Sequence, residues 1–155
     1  MPSKKPIAAP AADNKPTGLA YIVGRLDHVL NKRLRDGLAP LGMTVPHYTA
    51  LSVFRVLGTL SNAQLAERTM MSPQSANEMV KAMEAKGWIA RTPDPDHGRI
   101  IRISLTEDGD AVLARCDAVV KQVEDTMFPD VNDEERAWLH AQLRGAVKAL
   151  NLAGL

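Results

Sequence analysis

Beyond residue 18 the apolar positions form helical stripes, interrupted once by a short stretch of alternation. Leu19, Ile22, Val23, Leu26, Val29, Leu30, Leu34 and Leu38 follow the three-and-four spacing of one helix face, with Arg25, His28, Lys32 and Arg35 off it. Pro40 and Gly42 stop that helix. Thr44-Val45-Pro46 opens the next, with proline in the first turn, and Leu51, Phe54 and Leu57 face inward before Gly58. Ser61-Asn62-Ala63-Gln64 then fits a capping box, in which the serine hydroxyl accepts from the Gln64 amide and the glutamine side chain reaches back. The short helix it starts buries Leu65 and Ala66 and ends near Met70. Ser72-Pro73 caps another, whose inner face is Ala76, Met79, Val80 and Met83 and whose end is Gly87.

Two short helices this close in sequence predict a helix-turn-helix. The period then drops to two: Trp88–Thr92 and Arg99–Ser104 predict strands around the turn-rich Pro93-Asp94-Pro95-Asp96-His97-Gly98. Thr106-Glu107-Asp108 opens a helix of about four turns with Val112, Leu113, Cys116, Val119, Val120, Val123 and Met127 on one side, and Pro129 breaks it. Asn132-Asp133-Glu134-Glu135 caps a last helix with Trp138, Leu139, Leu143, Ala146, Val147 and Leu150 on its apolar face. The expected fold is mostly α with a small β-hairpin wing: a winged helix-turn-helix (residues 43–106) flanked by N-terminal (19–42) and C-terminal (107–155) dimerisation helices, behind a flexible tail (1–18).

Composition narrows the function. The 155 residues are 45% hydrophobic with only 4% aromatics, which suits helices. No apolar run approaches the ~18 residues of a membrane helix, and the proline-rich start is no secretory signal, so the expected location is cytoplasmic. One cysteine excludes a disulfide framework and a cysteine-rich zinc site. The net charge of +1 hides a gradient: eight basic and three acidic groups lie in residues 1–60, six and five in 61–106, five and ten in 107–155. Nucleic-acid binding needs a local basic face, which this balance permits. No metal-ligand spacing, phosphate loop or nucleophile elbow is present, and the chain is read as a non-enzyme with no cofactor or metal. A lone winged helix needs about half this chain, so the flanking helices must bury their apolar faces elsewhere. A symmetric homodimer does so and doubles the helix-turn-helix; an intramolecular three-helix bundle is the alternative.

The run from Leu60 to Gly109 resembles the MarR family of bacterial transcription regulators. Leu65-Ala66 matches its first helix, Ser72–Gly87 its reading helix, Asp94-Pro95-Asp96-His97-Gly98-Arg99 its wing, and Ile103-Ser104-Leu105-Thr106-Glu107-Asp108-Gly109 its strand-to-helix junction. The flanking helices match in length and order, extending the likeness to about residues 19–150. The resemblance implies a ligand-responsive regulator, a repressor, that binds a palindromic duplex as a homodimer and is released by a small anionic aromatic effector. A winged helix without DNA binding that scaffolds a protein, or a cysteine-based redox regulator, are the alternatives.

The outward face of the reading helix is Gln74, Ser75, Asn77, Glu78 and Lys81, behind the cap Ser72. Gln and Asn suit adenine edges, serine either partner, and lysine phosphate or guanine. Arg99, after a glycine in the wing turn, suits a minor groove, with Asp94 or Asp96 holding it by a bidentate pair; a solvated ion pair is the plain alternative. In the family this arginine's match contacts DNA. His97 and Arg102 are further contact candidates, and Arg91 is a phosphate contact or a solvated strand residue. Ser61, Asn62 and Gln64 can donate to phosphate, although capping alone explains Ser61 and Gln64. By resemblance, an effector cleft between the helical layer and the winged unit draws on Arg25, His28, His47 and Tyr48; a core role with satisfied polar tips also fits His47 and Tyr48. Family members that sense oxidants do so through a cysteine near the chain start, whereas Cys116 lies on an apolar stripe and reads as buried and inert.

Overall fold

A computed structural model describes residues 18–152. Apart from Gly18, the expected tail lies outside the described residues. The elements follow the apolar stripes. Helix α1 (Leu19–Leu38) runs into a 3-10 turn over Ala39–Leu41, closed by Gly42 in the left-handed region at φ 67°. Helix α2 (Val45–Leu57) starts where the Thr44 hydroxyl accepts from the His47 amide. Helix α3 (Asn62–Thr69) carries both bonds of the Ser61–Gln64 capping box. Helix α4 (Pro73–Ala85) starts at Ser72, whose hydroxyl accepts from the Ser75 amide. Each cap satisfies an amide that the first helical turn leaves without a partner. The turn joining α3 to α4 passes through Met70, a non-glycine residue in the left-handed region at φ 54°.

Strands β1 (Ile89–Pro93) and β2 (Ile101–Leu105) pair antiparallel, from Ile89 opposite Leu105 to Pro93 opposite Ile101. Leu60 adds a short third rung, exchanging two backbone hydrogen bonds with Ile103. The hairpin differs from the sequence reading at both ends. Trp88 precedes β1, because its amide is used by the Met83 carbonyl in closing α4. Arg99 and Ile100 remain in the turn, with the Ile100 amide donating to His97.

Helix α5 (Glu107–Met127) is 21 residues long, closer to six turns than to the four its apolar stripe suggested. Helix α6 (Asp133–Leu152) follows Pro129, with reciprocal bonds between Asn132 and Glu135 at its start. The core collects Leu38, Leu51, Phe54, Leu65, Val80, Met83, Ile103, Leu113 and Cys116, so α5 is the post against which α1, α2 and the winged unit pack. The apolar stripes of the end helices are open in the single chain. Leu19, Ile22, Val23 and Val29 on α1 and Trp138, Leu143, Val147 and Leu150 on α6 are 47–81% exposed. Among the described residues no helix is long and apolar enough to cross a membrane.

Candidate nucleic-acid interface

Three element ends form one edge of the winged unit. The Asn62 side-chain amide at the start of α3 donates to the Pro73 carbonyl at the start of α4. Ser61 and Gln64 share a shallow pocket with Asp94, His97, Ile100 and Arg102 of the wing. The start of the reading helix, the start of α3 and the base of the wing are therefore contiguous. Gln74, Ser75, Asn77, Glu78 and Lys81 are all exposed on α4, opposite buried Ala76, Val80 and Met83 and half-buried Met79. Within that face the Gln74 amide donates to Glu78 at 3.4 Å, and Ser72 donates to the Ser75 hydroxyl at 2.8 Å. Such local bonds pre-set side chains without burying them, so their polar atoms can still be exchanged for base or phosphate partners.

Inside the wing the structure corrects the sequence reading. Asp94 is buried and accepts from the Arg102 Nε and from the backbone amides of Asp96 and His97. It therefore holds Arg102, not Arg99, and Asp96 forms no ion pair among the described residues. The reason is strand parity. Asp94 continues β1 just beyond Pro93, and its amide donates to Ile100. Arg102 is the diagonal neighbour two residues along on the same face of the hairpin. Arg99 is out of phase with that face and projects from the turn, exposed. The Arg102 bond, with the two amides, holds the Asp94 carboxyl below the usual carboxylate range. Arg102 is thus committed to bracing the wing, and its guanidinium stays half exposed. Arg91 is likewise taken: it pairs with Glu84 of α4, whose carboxyl it holds low. Asn62 serves as a tie between α3 and α4, with its Oδ1 buried and unpartnered. Among the described residues no group of metal-ligating side chains occurs.

The four residues assigned to an effector cleft are not brought together. Arg25 and His28 are exposed on α1, and Arg25 lies 5.9 Å from the Tyr21 ring centroid. His47 meets the Trp88 ring edge-on at 6.1 Å, and its Nδ1 is buried without a partner. Burial, with the charge of Lys86 nearby, keeps this imidazole below its ordinary value. The Tyr48 hydroxyl donates to Asp117 of α5 at 2.9 Å, and burial together with that bond pushes it up to about 12. Asp117 in turn receives Arg55 at 2.8 Å. Tyr48 also lines a groove with Ser52, Val56, Leu57 and Arg68, which places Arg68 rather than Arg25 beside it. Sequence reasoning missed Asp117, Arg55 and Arg68; the only available signal was an acid next to the apolar stripe of α5. Cys116 is fully buried, and its thiol is raised by that burial and by Asp117, the opposite of a reactive cysteine.

A sequence model described as the MarR family matches residues 41–100. An HTH-type transcriptional repressor of Mycobacterium tuberculosis is 34% identical over 110 residues, covering 71% of this chain and 78% of the relative. Among solved structures, a MarR variant of E. coli complexed with operator DNA superposes with a TM-score of 0.71 at 21% identity, over 83% of this chain and 92% of that one. Bordetella bronchiseptica BpsR, solved to explain regulation of its DNA binding by 6-hydroxynicotinic acid, gives a TM-score of 0.73 at 18% identity, over 90% and 98%. These likenesses share the winged helix-turn-helix fold, and with the identity to the mycobacterial repressor they establish that this chain belongs to the MarR family.

Proposed function

We propose that the protein is a homodimeric, DNA-binding transcriptional regulator that acts as a repressor and is released by a small anionic aromatic effector. The observation that carries the reading is the contiguity of the exposed α4 face with the starts of α3 and of the wing turn. A helix start offers free amides and a positive dipole end to phosphates while its side chains read base edges. The named activity of the mycobacterial relative and the operator complex of E. coli MarR support the same reading. The open apolar stripes of α1 and α6 support a second copy as their cover. A two-fold dimer would present its reading helices to half-sites about 34–36 Å apart. The regulation of BpsR by 6-hydroxynicotinic acid supports the effector class.

The test is selection of bound genomic fragments, followed by anisotropy titrations over a salt series. Gln74→Ala is expected to relax base preference, at about 1–3 kcal/mol for the base edge it no longer reads, and Lys81→Ala to weaken all sequences and lower the salt slope by about one. Arg99→Ala is expected to weaken binding with the fold intact. Wild-type affinity and specificity in all three variants would refute the interface. Absence of any duplex binding at low salt would favour the protein-interaction reading. A folded 16.8 kDa monomer in sedimentation at low concentration would refute the dimer.

A further inference from the structure

The outward face of α4 holds one cation, Lys81, and one anion, Glu78. A helix turns about 100° per residue, so the direction of a side chain follows from its position. Measured from the middle of the inward stripe Ala76, Met79, Val80 and Met83, Gln74, Glu78 and Lys81 lie within about 30° of the outward direction. Ser75 and Asn77 stand at the flanks, about 70–90° off it. Glu84, the other acid of the helix, lies on the flank toward the wing and pairs with Arg91. Glu78 forms no ion pair among the described residues. Other surface acids such as Glu67 are unpaired too. What sets Glu78 apart is its place in the middle of the outward row, one turn after Gln74, whose amide donates to it at 3.4 Å. That row begins at the edge where the starts of α3 and α4 meet the base of the wing.

We infer that Glu78 is a specificity-determining residue that accepts from the N4 amino group of a cytosine in the major groove and penalises the other bases at that position. The inference rests on the DNA-binding reading above and adds to it the base that this side chain reads. A carboxylate set against a duplex is repelled by the phosphates and is attracted only by a base-edge donor. Those donors are the amino groups of cytosine and adenine; guanine shows acceptors at O6 and N7, and thymine at O4. Adenine carries the N7 acceptor beside its amino group, which suits an amide and turns a lone pair toward the second carboxylate oxygen. Cytosine has no acceptor beside its amino group, so both oxygens are tolerated there. A carboxylate has about four lone-pair sites, so Glu78 can hold the Gln74 amide and the cytosine together and fix the amide for the neighbouring base pair. Because Lys81 only balances the acid, phosphate attraction falls to the helix starts and to Arg99. Glu78 therefore lowers affinity for random duplex more than for the right one, which is discrimination by repulsion.

The experiment selects duplexes from a randomised pool with the full chain, with Glu78→Ala and Glu78→Gln, and with Glu67→Gln as the control for charge alone. Anisotropy titrations at one fixed salt concentration then compare the selected duplex with a scrambled one. All variants change exposed side chains and are expected to keep wild-type melting. Wild type and Glu67→Gln should select a C·G pair at a position where Glu78→Ala selects none and Glu78→Gln admits adenine. Exchanging that pair should weaken wild type about tenfold and Glu78→Ala less than about twofold. Glu78→Ala should bind the scrambled duplex about threefold more tightly than wild type. Replacing the cytosine by a pyrimidinone nucleoside without the N4 amino group should weaken wild type about fivefold more than Glu78→Ala. Equal weakening of both proteins, or a lost position that is an A·T pair, overturns the cytosine contact. A scrambled duplex bound no more tightly by Glu78→Ala overturns the repulsion. A site selected by wild type and unchanged in Glu78→Ala overturns this inference alone, whereas a wild type that binds no duplex refutes the DNA-binding reading and this inference with it.

Discussion

Gly109 is where the winged unit meets the helical post, and replacing it with alanine tests that junction. Its amide donates to the Thr106 hydroxyl at 3.0 Å; that hydroxyl donates to the Gly87 carbonyl at 2.6 Å, and the Thr106 amide donates to Trp88 at 3.0 Å. A methyl group on Gly109 would press into the Trp88 carbonyl oxygen and sit 2.9 Å from its carbon and 2.8 Å from Leu105 Cδ1. Carbon pairs settle at about 3.5–4.0 Å, so the first turn of α5 must retreat by roughly 1 Å from backbone that cannot swing aside. Overpacking of this kind costs about 1–3 kcal/mol, and each hydrogen bond stretched or broken adds about 1 kcal/mol. The helix propensity of alanine returns at most about 1 kcal/mol. The net expectation is a loss of about 2–3 kcal/mol, or a melting temperature lower by about 5–10 °C in a chain of this size. Gly24→Ala is the control: it lies within α1 with nothing within 4 Å of the added methyl, and it should stabilise by up to about 1 kcal/mol. Both variants would be followed by calorimetry and urea unfolding. A Gly109→Ala protein as stable as wild type, or one stabilised like Gly24→Ala, would refute the close approach.

Three further outcomes follow from the same packing. His47 resists protonation in the folded chain, so below about pH 6.5 the unfolded chain takes up a proton that the folded one refuses, and stability falls with pH. His47→Leu should flatten that fall between about pH 7.5 and 5.5, and urea midpoints equal in pH sensitivity for both proteins would contradict it. Cys116 should react slowly with a thiol reagent in the native protein and fast in denaturant, and peroxide should leave DNA affinity unchanged; rapid native labelling would reverse the assignment. In a spectrophotometric titration, one of the two tyrosines should keep its proton to about pH 12, and Tyr48→Phe should remove that late step.

What the sequence showed and what it hid divide by distance along the chain. Ser61 with Gln64, Thr106 before Gly109, and Asn132 with Glu135 are caps closed within three residues, so spacing alone located the starts of α3, α5 and α6. The apolar stripe of α4 likewise assigned its inner and outer faces. The Asp94 partner was hidden because three arginines lie in and beside the hairpin, and only the register opposite Thr92 and Pro93 selects Arg102. Leu60 joins Ile103 across 43 positions through backbone bonds that leave no side-chain signature. Arg68 and Lys148 are 80 positions apart, and only the course of the chain in space brings them to one groove. The end of α3 near Met70 was legible, but its left-handed turn was not, since it is made by a residue that tolerates that region poorly.

The polar ties between layers also bear on how such a chain can be regulated. The winged unit holds to α5 at two places: the Gly87–Thr106–Gly109 junction at the helix start, and Tyr48 and Arg55 of α2 converging on Asp117 further along. Between them lie Leu113 and Cys116, both fully buried, so this part of α5 has no slack. Reading helix and wing are braced to each other by Glu84–Arg91, and the wing is braced internally by Asp94–Arg102. An effector that acted by loosening the wing alone would have to break charge-assisted bonds inside a rigid unit. An effector that turned α5 would carry the whole unit as one body and change the spacing of paired reading helices at little internal cost. On the DNA-binding reading, control is therefore expected where the layers meet and not within the wing.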